Sequence, residues 1–246
     1  MQKSPTGPFV TSIAAAKAEA GESGFVSLFN GQDLTGWDGD AGLWRVEDGA
    51  ITGELGEGRK LPFNKFLIWR GGEPKNFELR MSIWQDGNNS GIQYRSRELK
   101  EVGPFSMGGY QCDVHPNPPY NAQLYDERSR GIVALRGQRV LLAENGDKWL
   151  IGTTGPVEPI RNDEWHVFGV IARGNHLIHT IDDRLAIELF DHDPAKRALE
   201  GLLGIQLHRG PAMKVQVKDI WLKVLPDGGI LSPAETPLPP DATTMK

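Results

Sequence analysis

Four short stretches of this chain place hydrogen-bonding or titratable side chains at every second position. "GYQCDVH" sets Gln111, Asp113 and His115 on one face and Tyr110, Cys112 and Val114 on the other. "AQLYDE" groups Gln123, Tyr125 and Glu127, "GIQLH" groups Gln206 and His208, and "NNSGIQYRSR" groups Gln93 and Arg95 opposite Ile92 and Tyr94. Successive side chains of an extended chain point to opposite faces, so each stretch predicts a strand with one apolar side and one polar side. A solvated sheet face is polar by default, and a plain surface is one reading. Such faces are usually stocked with Lys, Glu, Thr and Ser, whereas these positions hold no Lys. Planar donors and acceptors held rigidly beside an aromatic ring suit the hydroxyls and C–H faces of a sugar, so a small-molecule carbohydrate is the expected partner.

The same side chains could hold a metal. Asp113 and His115, two positions apart on a strand, point the same way, and Glu127 or His208 would complete a mixed oxygen and nitrogen ligand set for a divalent ion. No short-spaced Cys/His motif reinforces that reading, and ion pairs to Arg95 or Arg128 would account for the carboxylates equally well. The remaining histidines read as structural. His166 lies beside Phe168 and Val170 in an apolar strand, His176 sits in a turn, His192 in a loop, and His179 faces a side that alternation does not fix. There is no G-x-S-x-G, no nucleotide-type glycine fingerprint, and no sign that Cys112 is a nucleophile.

The elements that must position these residues are strands. The chain has 246 residues, with 30 Gly and 17 Pro punctuating short apolar runs, and turn dipeptides at Asp48–Gly49, Gly174–Asn175 and Asp182–Asp183. A dozen or so strand candidates without intervening helices predict two stacked antiparallel sheets, an all-β sandwich of jelly-roll type with a polar face. Helical signals are confined to Ala14–Ala20 and to one turn starting at Asp193, with Pro194 at its first position. Residues 24–226 read as one domain. Residues 1–23 read as a flexible segment in which Lys17 and Glu19 interrupt any apolar signal core, so no intact secretion signal is legible. Residues 227–246 read as a Pro-rich, mobile tail. A net charge of −5 with no run of Lys and Arg argues against nucleic acid. No apolar run approaches the roughly 20 residues that a membrane helix requires. The single cysteine cannot bridge within the chain. The oligomeric state is not legible in these patterns.

Longer stretches carry a resemblance. "GFVSLFNGQDLTGWDGD", "NFELRMSIWQDGNNSGIQYRSR", "GGYQCDVH", "LYDERSRGI", "EWHVFGVIARGNHLIHTID" and "GLLGIQLHRGPAMKVQVKDIWLKVL" resemble the bacterial 3-keto-disaccharide hydrolase family, over about Gly24 to Leu225. That resemblance implies a concanavalin A-like sandwich exported to the periplasm or beyond, which splits glycosides already oxidised at C3 of the sugar. It implies cleavage by elimination and hydration or by hydrolysis, with a divalent metal such as Mn, Ca, Co or Zn in some members. The family's polar motif positions fall on Gln93, Arg95, Gln111, Asp113, Tyr125, Glu127 and His208. On that basis His208 or Glu127 is expected as base or acid, Arg95 or a metal held by Asp113, Glu127 and His208 as the oxyanion stabiliser, and Tyr125 as a sugar-orienting group or proton donor. Gln93, Gln111 and Gln206 are expected to bind substrate. A non-catalytic, lectin-like domain is the alternative, because this architecture hosts binding modules as readily as enzymes.

Overall fold

From Phe77 to Gln85 every second side chain is buried and the others are half-buried. That pattern fits a strand with one face in a core and one face partly covered, and the strand does sit at the centre of a sheet. The computed structural model describes residues 5–21 and 23–245. In chain order its first strands are β1 (Val26–Ser27), β2 (Trp37–Asp38), β3 (Trp44–Glu47), β4 (Ala50–Leu55), β5 (Lys65–Trp69), β6 (Phe77–Gly87), β7 (Ser90–Glu98), β8 (Met107–Val114) and β9 (Leu124–Glu127). Then come β10 (Gly131–Ala134), β11 (Gln138–Leu142), β12 (Lys148–Thr153), β13 (His166–Arg173), β14 (His176–Ile181), β15 (Arg184–Asp191), β16 (Leu202–Leu207), β17 (Met213–Val224) and β18 (Thr243–Met245). The α-helix α1 (Ile13–Glu19) is capped by the Ser12 hydroxyl, which accepts from the Ala15 N–H, and a single 3-10 turn spans Pro118–Tyr120.

Two sheets stack face to face. The larger has 11 strands in the order β18-β12-β11-β15-β14-β13-β6-β17-β4-β3, with β1 also on β17. The smaller has seven, β10-β9-β8-β7-β16-β5-β2. Phe77, Leu79, Met81 and Ile83 of β6 share the core between them with Ile92 and Tyr94 of β7, Tyr110 and Cys112 of β8, and Leu203, Ile205 and Leu207 of β16. Each such side chain contributes on the order of 1.5–3 kcal/mol by leaving water. On the other side of the seven-stranded sheet a second, smaller cluster forms, in which Phe66, Ile68 and Met107 pack with Phe105 and Leu202. That cluster draws on β5, β8 and β16 and covers part of the outer face.

The expected all-β sandwich and its turns are present. Asp48 and Gly49 both have positive φ between β3 and β4, as a tight hairpin turn of this kind demands. Three local expectations need correction. The pairing is not purely antiparallel, because β11 runs parallel to β15. Strands β11 and β12 form in a stretch whose apolar pattern is interrupted by Arg139 and Gly152. Among the described residues before 24, Val10 and Ala16 are buried and the Ile13 N–H is bonded to Gly71 O, so this stretch packs down where a flexible segment was expected. The Pro-rich tail is likewise held: Thr243–Met245 pair with β12, and Asn175 bonds the Leu231 backbone through both ends of its amide. Apolar and amide anchors elsewhere, which no local pattern advertises, tie both ends to the sandwich.

His179 is part of the core. Its Nδ1 lies 3.1 Å from Ala122 O and its Nε2 2.9 Å from the Tyr94 hydroxyl, and burial pushes its pKa down to about 4. The ring is therefore neutral, donating through Nδ1 and accepting from Tyr94. Tyr94→Phe keeps the packing and orphans Nε2, and should lower stability at neutral pH by about 1–3 kcal/mol. Urea unfolding of the two proteins measures the difference; equal midpoints would mean that Nε2 finds another partner.

Candidate functional site

Tyr110, Cys112 and Val114 are locked into the core, and this forces Gln111 and Asp113 of β8 to the outer face of the seven-stranded sheet. Across the sheet Tyr125 of β9 stands opposite Gln111, and Gly91 of β7 stands opposite Asp113. A cleft of about 560 Å³ opens over this region. Gln111, Asp113, Gln123, Tyr125, Glu127, Gln206 and His208 line it from the strands and their ends, and Asn64, Asn89, His115, Tyr120, Arg128 and Arg209 line it from the loops. Gly91 makes room for one of them: a Cβ there would come within 2.7 Å of the Gln111 side chain, which leans across the glycine.

The floor carries unspent hydrogen-bonding capacity. Asp113 Oδ2 accepts from Gln123 Nε2 at 2.6 Å, but Asp113 Oδ1, Gln123 Oε1 and Gln111 Nε2 are buried with no protein partner. Buried polar atoms are normally paired, so two acceptors and one donor facing a cleft amount to a standing demand for a polar ligand. Gln206 offers an acceptor held at 3.4 Å by Asn89 Nδ2.

Every resolved pKa shift among the cleft's carboxyl, phenol and imidazole groups favours the uncharged form, and burial is the leading cause of each. Asp113 is pushed up to about 8, with the charge of Glu127 adding to the effect. Glu127 is raised by burial, against the pull of Arg128 at 3.7 Å and of the Asn64 amide at 3.5 Å. Tyr125 is raised, first by burial and then by Glu127. His115 and His208 are lowered, His115 partly because His208 is nearby. Burial in the cleft therefore biases its carboxyls toward the acid form and its imidazoles toward the neutral form.

His208 is fixed through Nδ1, which lies 2.9 Å from Gly210 O and 2.6 Å from Asn88 Nδ2. Donating Nδ1–H to the carbonyl leaves Nε2 a bare base, whereas accepting from the amide leaves Nε2–H a donor. In both cases Nε2 is the atom free to work. The backbone N–H of Asn117 donates to His115 Nδ1 at 3.0 Å, which makes His115 Nε2–H a donor, and the ring packs edge-on to Tyr120 at 5.1 Å.

Two residues expected in the site are elsewhere. Arg95 breaks the strand's alternation: it has φ of 44° at a β-bulge, where the register shifts between Tyr94 and Arg97. Its guanidinium leaves the cleft and binds backbone carbonyls, Lys75 O at 2.6 Å, Gly174 O at 2.6 Å and Ala198 O at 3.2 Å. Arg95 is a buried clasp between loops, unsuited to stabilising an oxyanion in this cleft. Gln93 stays opposite Gln111, but its amide donates to Ser96 Oγ at 2.9 Å and to Gly109 O at 3.0 Å and does not line the cleft. Conversely Asn64, Asn89, Tyr120 and Arg209 were not singled out from sequence. They arrive on loops, and their only local signal is that each lies close to a strand end.

The remaining histidines are structural. His166 bonds Asp182 at 2.6 Å and Arg161 O at 2.9 Å, His176 pairs with Glu188 at 2.8 Å, and His192 bonds Thr236 at 2.7 Å. Among the described residues no group of three or more His, Cys, Asp or Glu side chains is placed to hold a metal ion. Asp113, Glu127 and His208 line one cleft without forming such a group.

Asp113 should leave a signature in stability. Its folded-state pKa of about 8 lies above the ordinary 3.8, so its neutral form is favoured by folding. Stability should then fall as pH rises from about 4 to about 8, because unfolding releases its proton over that window. Asp113→Asn removes this dependence, so the melting temperature of the variant should gain on that of the wild type steadily between pH 5 and 8. A constant difference across that range would mean that Asp113 is ionised in the fold.

The family described as "3-keto-alpha-glucoside-1,2-lyase-like domain" matches residues 24–223. No curated protein matches the chain. Among solved structures, one from Parabacteroides distasonis that is named provisionally as a glycosyl hydrolase is 19% identical, with a TM-score of 0.54, covering 86% of this chain and 96% of its own. A second from the same organism, named in the same way, is 16% identical with a TM-score of 0.54, covering 82% and 99%. A Bacillus subtilis protein of unknown function with a galectin-like fold is 9% identical with a TM-score of 0.52, covering 78% and 90%. At these identities the structures speak for the fold, a lectin-like β-sandwich. The family match spans most of the sequence, and the chain belongs to the 3-keto-alpha-glucoside-1,2-lyase-like domain family.

Proposed function

We propose that this protein cleaves the glycosidic bond of a 3-keto-glycoside in the cleft between Asp113 and His208, by base-assisted elimination. One observation carries the reading. A single desolvated cleft gathers carboxyls biased toward their acid form, imidazoles biased toward their base form, and unspent amide and carboxyl atoms. A lectin needs only amides and aromatics, whereas removing a proton and protonating a leaving group need titratable groups of this kind.

The chemistry follows from the ketone. A carbonyl at C3 acidifies the C2 proton, a neutral imidazole removes it, and the resulting enolate expels the C1 oxygen without an oxocarbenium ion. His208 Nε2 is the base in the tautomer whose Nδ1–H donates to Gly210 O, with burial favouring the neutral ring. The developing charge on the C3 oxygen needs a donor, and the unspent Nε2–H of Gln111 supplies one, with the protonated Asp113 carboxyl beside it. Glu127 or Tyr125, both raised in pKa and both lining the cleft, protonates the departing oxygen. Water then adds at C1 and solvent returns a proton to C2. No step runs through a metal. Export to the periplasm or beyond is part of this reading, and no helix among the described residues is long and apolar enough to cross a membrane.

The test is to turn over a 3-keto-glucoside in D2O and analyse the ketosugar released. Elimination and hydration place deuterium at C2 faster than exchange in an enzyme-free control, whereas direct hydrolysis leaves C2–H intact. His208→Ala should lower kcat by about 100-fold or more. Deuterium absent from C2 would overturn the elimination. No turnover of any 3-keto-glycoside, together with tight binding of unoxidised oligosaccharides, would establish the lectin-like alternative.

A further inference from the structure

Beside the cleft lies a second groove of about 470 Å³, built from two loop segments: 58–61, before β5, and 209–212, after β16. The segments are tied together by the Leu61 N–H, which donates to Arg209 O at 2.9 Å. Arg209 lines both the groove and the cleft, and its own N–H donates to Asn64 Oδ1, another cleft residue. The groove is therefore a continuation of the site across one residue.

Its charge sets it apart. The lining has three cations, Arg59, Lys60 and Arg209, and no carboxylate. None of the three takes part in an ion pair among the described residues; Arg59 only feels the charge of Asp40 from a distance. Other grooves on the surface carry carboxylates beside their cations. The one floored by Gly169 sets Arg80 among Glu78 and Asp183, and the one beyond Arg128 has four cations and four carboxylates. In a chain of net charge −5, three cations left unneutralised at the mouth of a reaction cleft form a local positive field. Two are guanidinium forks, which pair with carboxylates in a planar, bidentate way. The Leu61, Pro211 and Ala212 side chains add an apolar wall suited to a ring or alkyl stem.

Resting on the cleavage reading above, we infer that this groove is a leaving-group subsite that selects glycosides whose aglycone carries an anionic group such as a carboxylate. Arg59, Lys60 and Arg209 hold the anion while the 3-keto sugar occupies the cleft. The charge contributes to binding and to specificity and takes no part in bond breaking.

The experiment compares two 3-keto-glucosides of the same anomer, one with a 4-carboxyphenyl and one with a 4-carbamoylphenyl leaving group. The pair is nearly isosteric and differs by one charge. The wild type should show a KM about five- to tenfold lower for the carboxylate, with the preference fading as NaCl rises from 20 to 500 mM on the order of the screening expected for exposed charges. Arg59→Gln combined with Lys60→Gln should bring the two KM values to within about twofold of each other at low salt, with an unaltered melting temperature confirming the fold. Equal KM for the two substrates in the wild type at low salt would overturn the subsite while leaving the cleavage reading intact. If neither substrate is cleaved, the cleavage reading fails, and calorimetry with the two unoxidised glucosides decides the subsite: tighter, salt-sensitive binding of the carboxylate by the wild type alone supports it, and equal binding overturns it.

Discussion

The structure depends on one constraint, the period of two along β8, pinned on its inner side by Tyr110, Cys112 and Val114. Because these three cannot leave the core without exposing apolar surface and opening a void, Gln111 and Asp113 cannot turn away from the outer face. The partner strands add to the same face in register, with Tyr125 beside Gln111 and the bare backbone of Gly91 beside Asp113. Packing energy stored between the sheets thus holds a carboxyl in a place where it would not settle by itself.

The second apolar cluster completes that arrangement. Phe66, Ile68, Met107 and Phe105 cover part of the outer face with apolar side chains. Burial outweighs ion pairing inside the cleft: Arg128 reaches Glu127 only at 3.7 Å and is itself largely solvated, so it does not offset the desolvation of the carboxyl. At the sandwich edge the balance is reversed. Arg130 lies against Asp126 at 2.6 Å and Asp191 at 2.8 Å, and Tyr110 donates to Asp191 at 2.5 Å. The carboxylates around Arg130 are closely paired, while in the cleft Glu127 has only the looser Arg128 contact at 3.7 Å.

Much of this was legible in the residues themselves. The alternation in β8, β9 and β16 identified Gln111, Asp113, Tyr125, Glu127, Gln206 and His208, and all six line one cleft. The same rule failed at Arg95, because a bulge with positive φ inserts a residue into the count and no local residue type announces it. It was uninformative for Asn64, Asn89, Tyr120 and Arg209, whose positions follow from loops that close over the strands only in three dimensions. Gln93 shows a third kind of limit. It sits on the expected face, but a neighbouring hydroxyl and carbonyl claim its amide first. Pattern tells which way a side chain starts, and packing tells where it arrives.

Strand β18 has a consequence for the molecule's behaviour in concentrated solution. Without Thr243–Met245, the Lys148–Thr153 strand would be an open flank of the larger sheet, six residues long and carrying Trp149, Leu150 and Ile151. Bare flanks of that length invite strands from other molecules. The three-residue segment laid along it presents a shorter, threonine-bearing margin, and so acts as a built-in guard against fibre-like stacking.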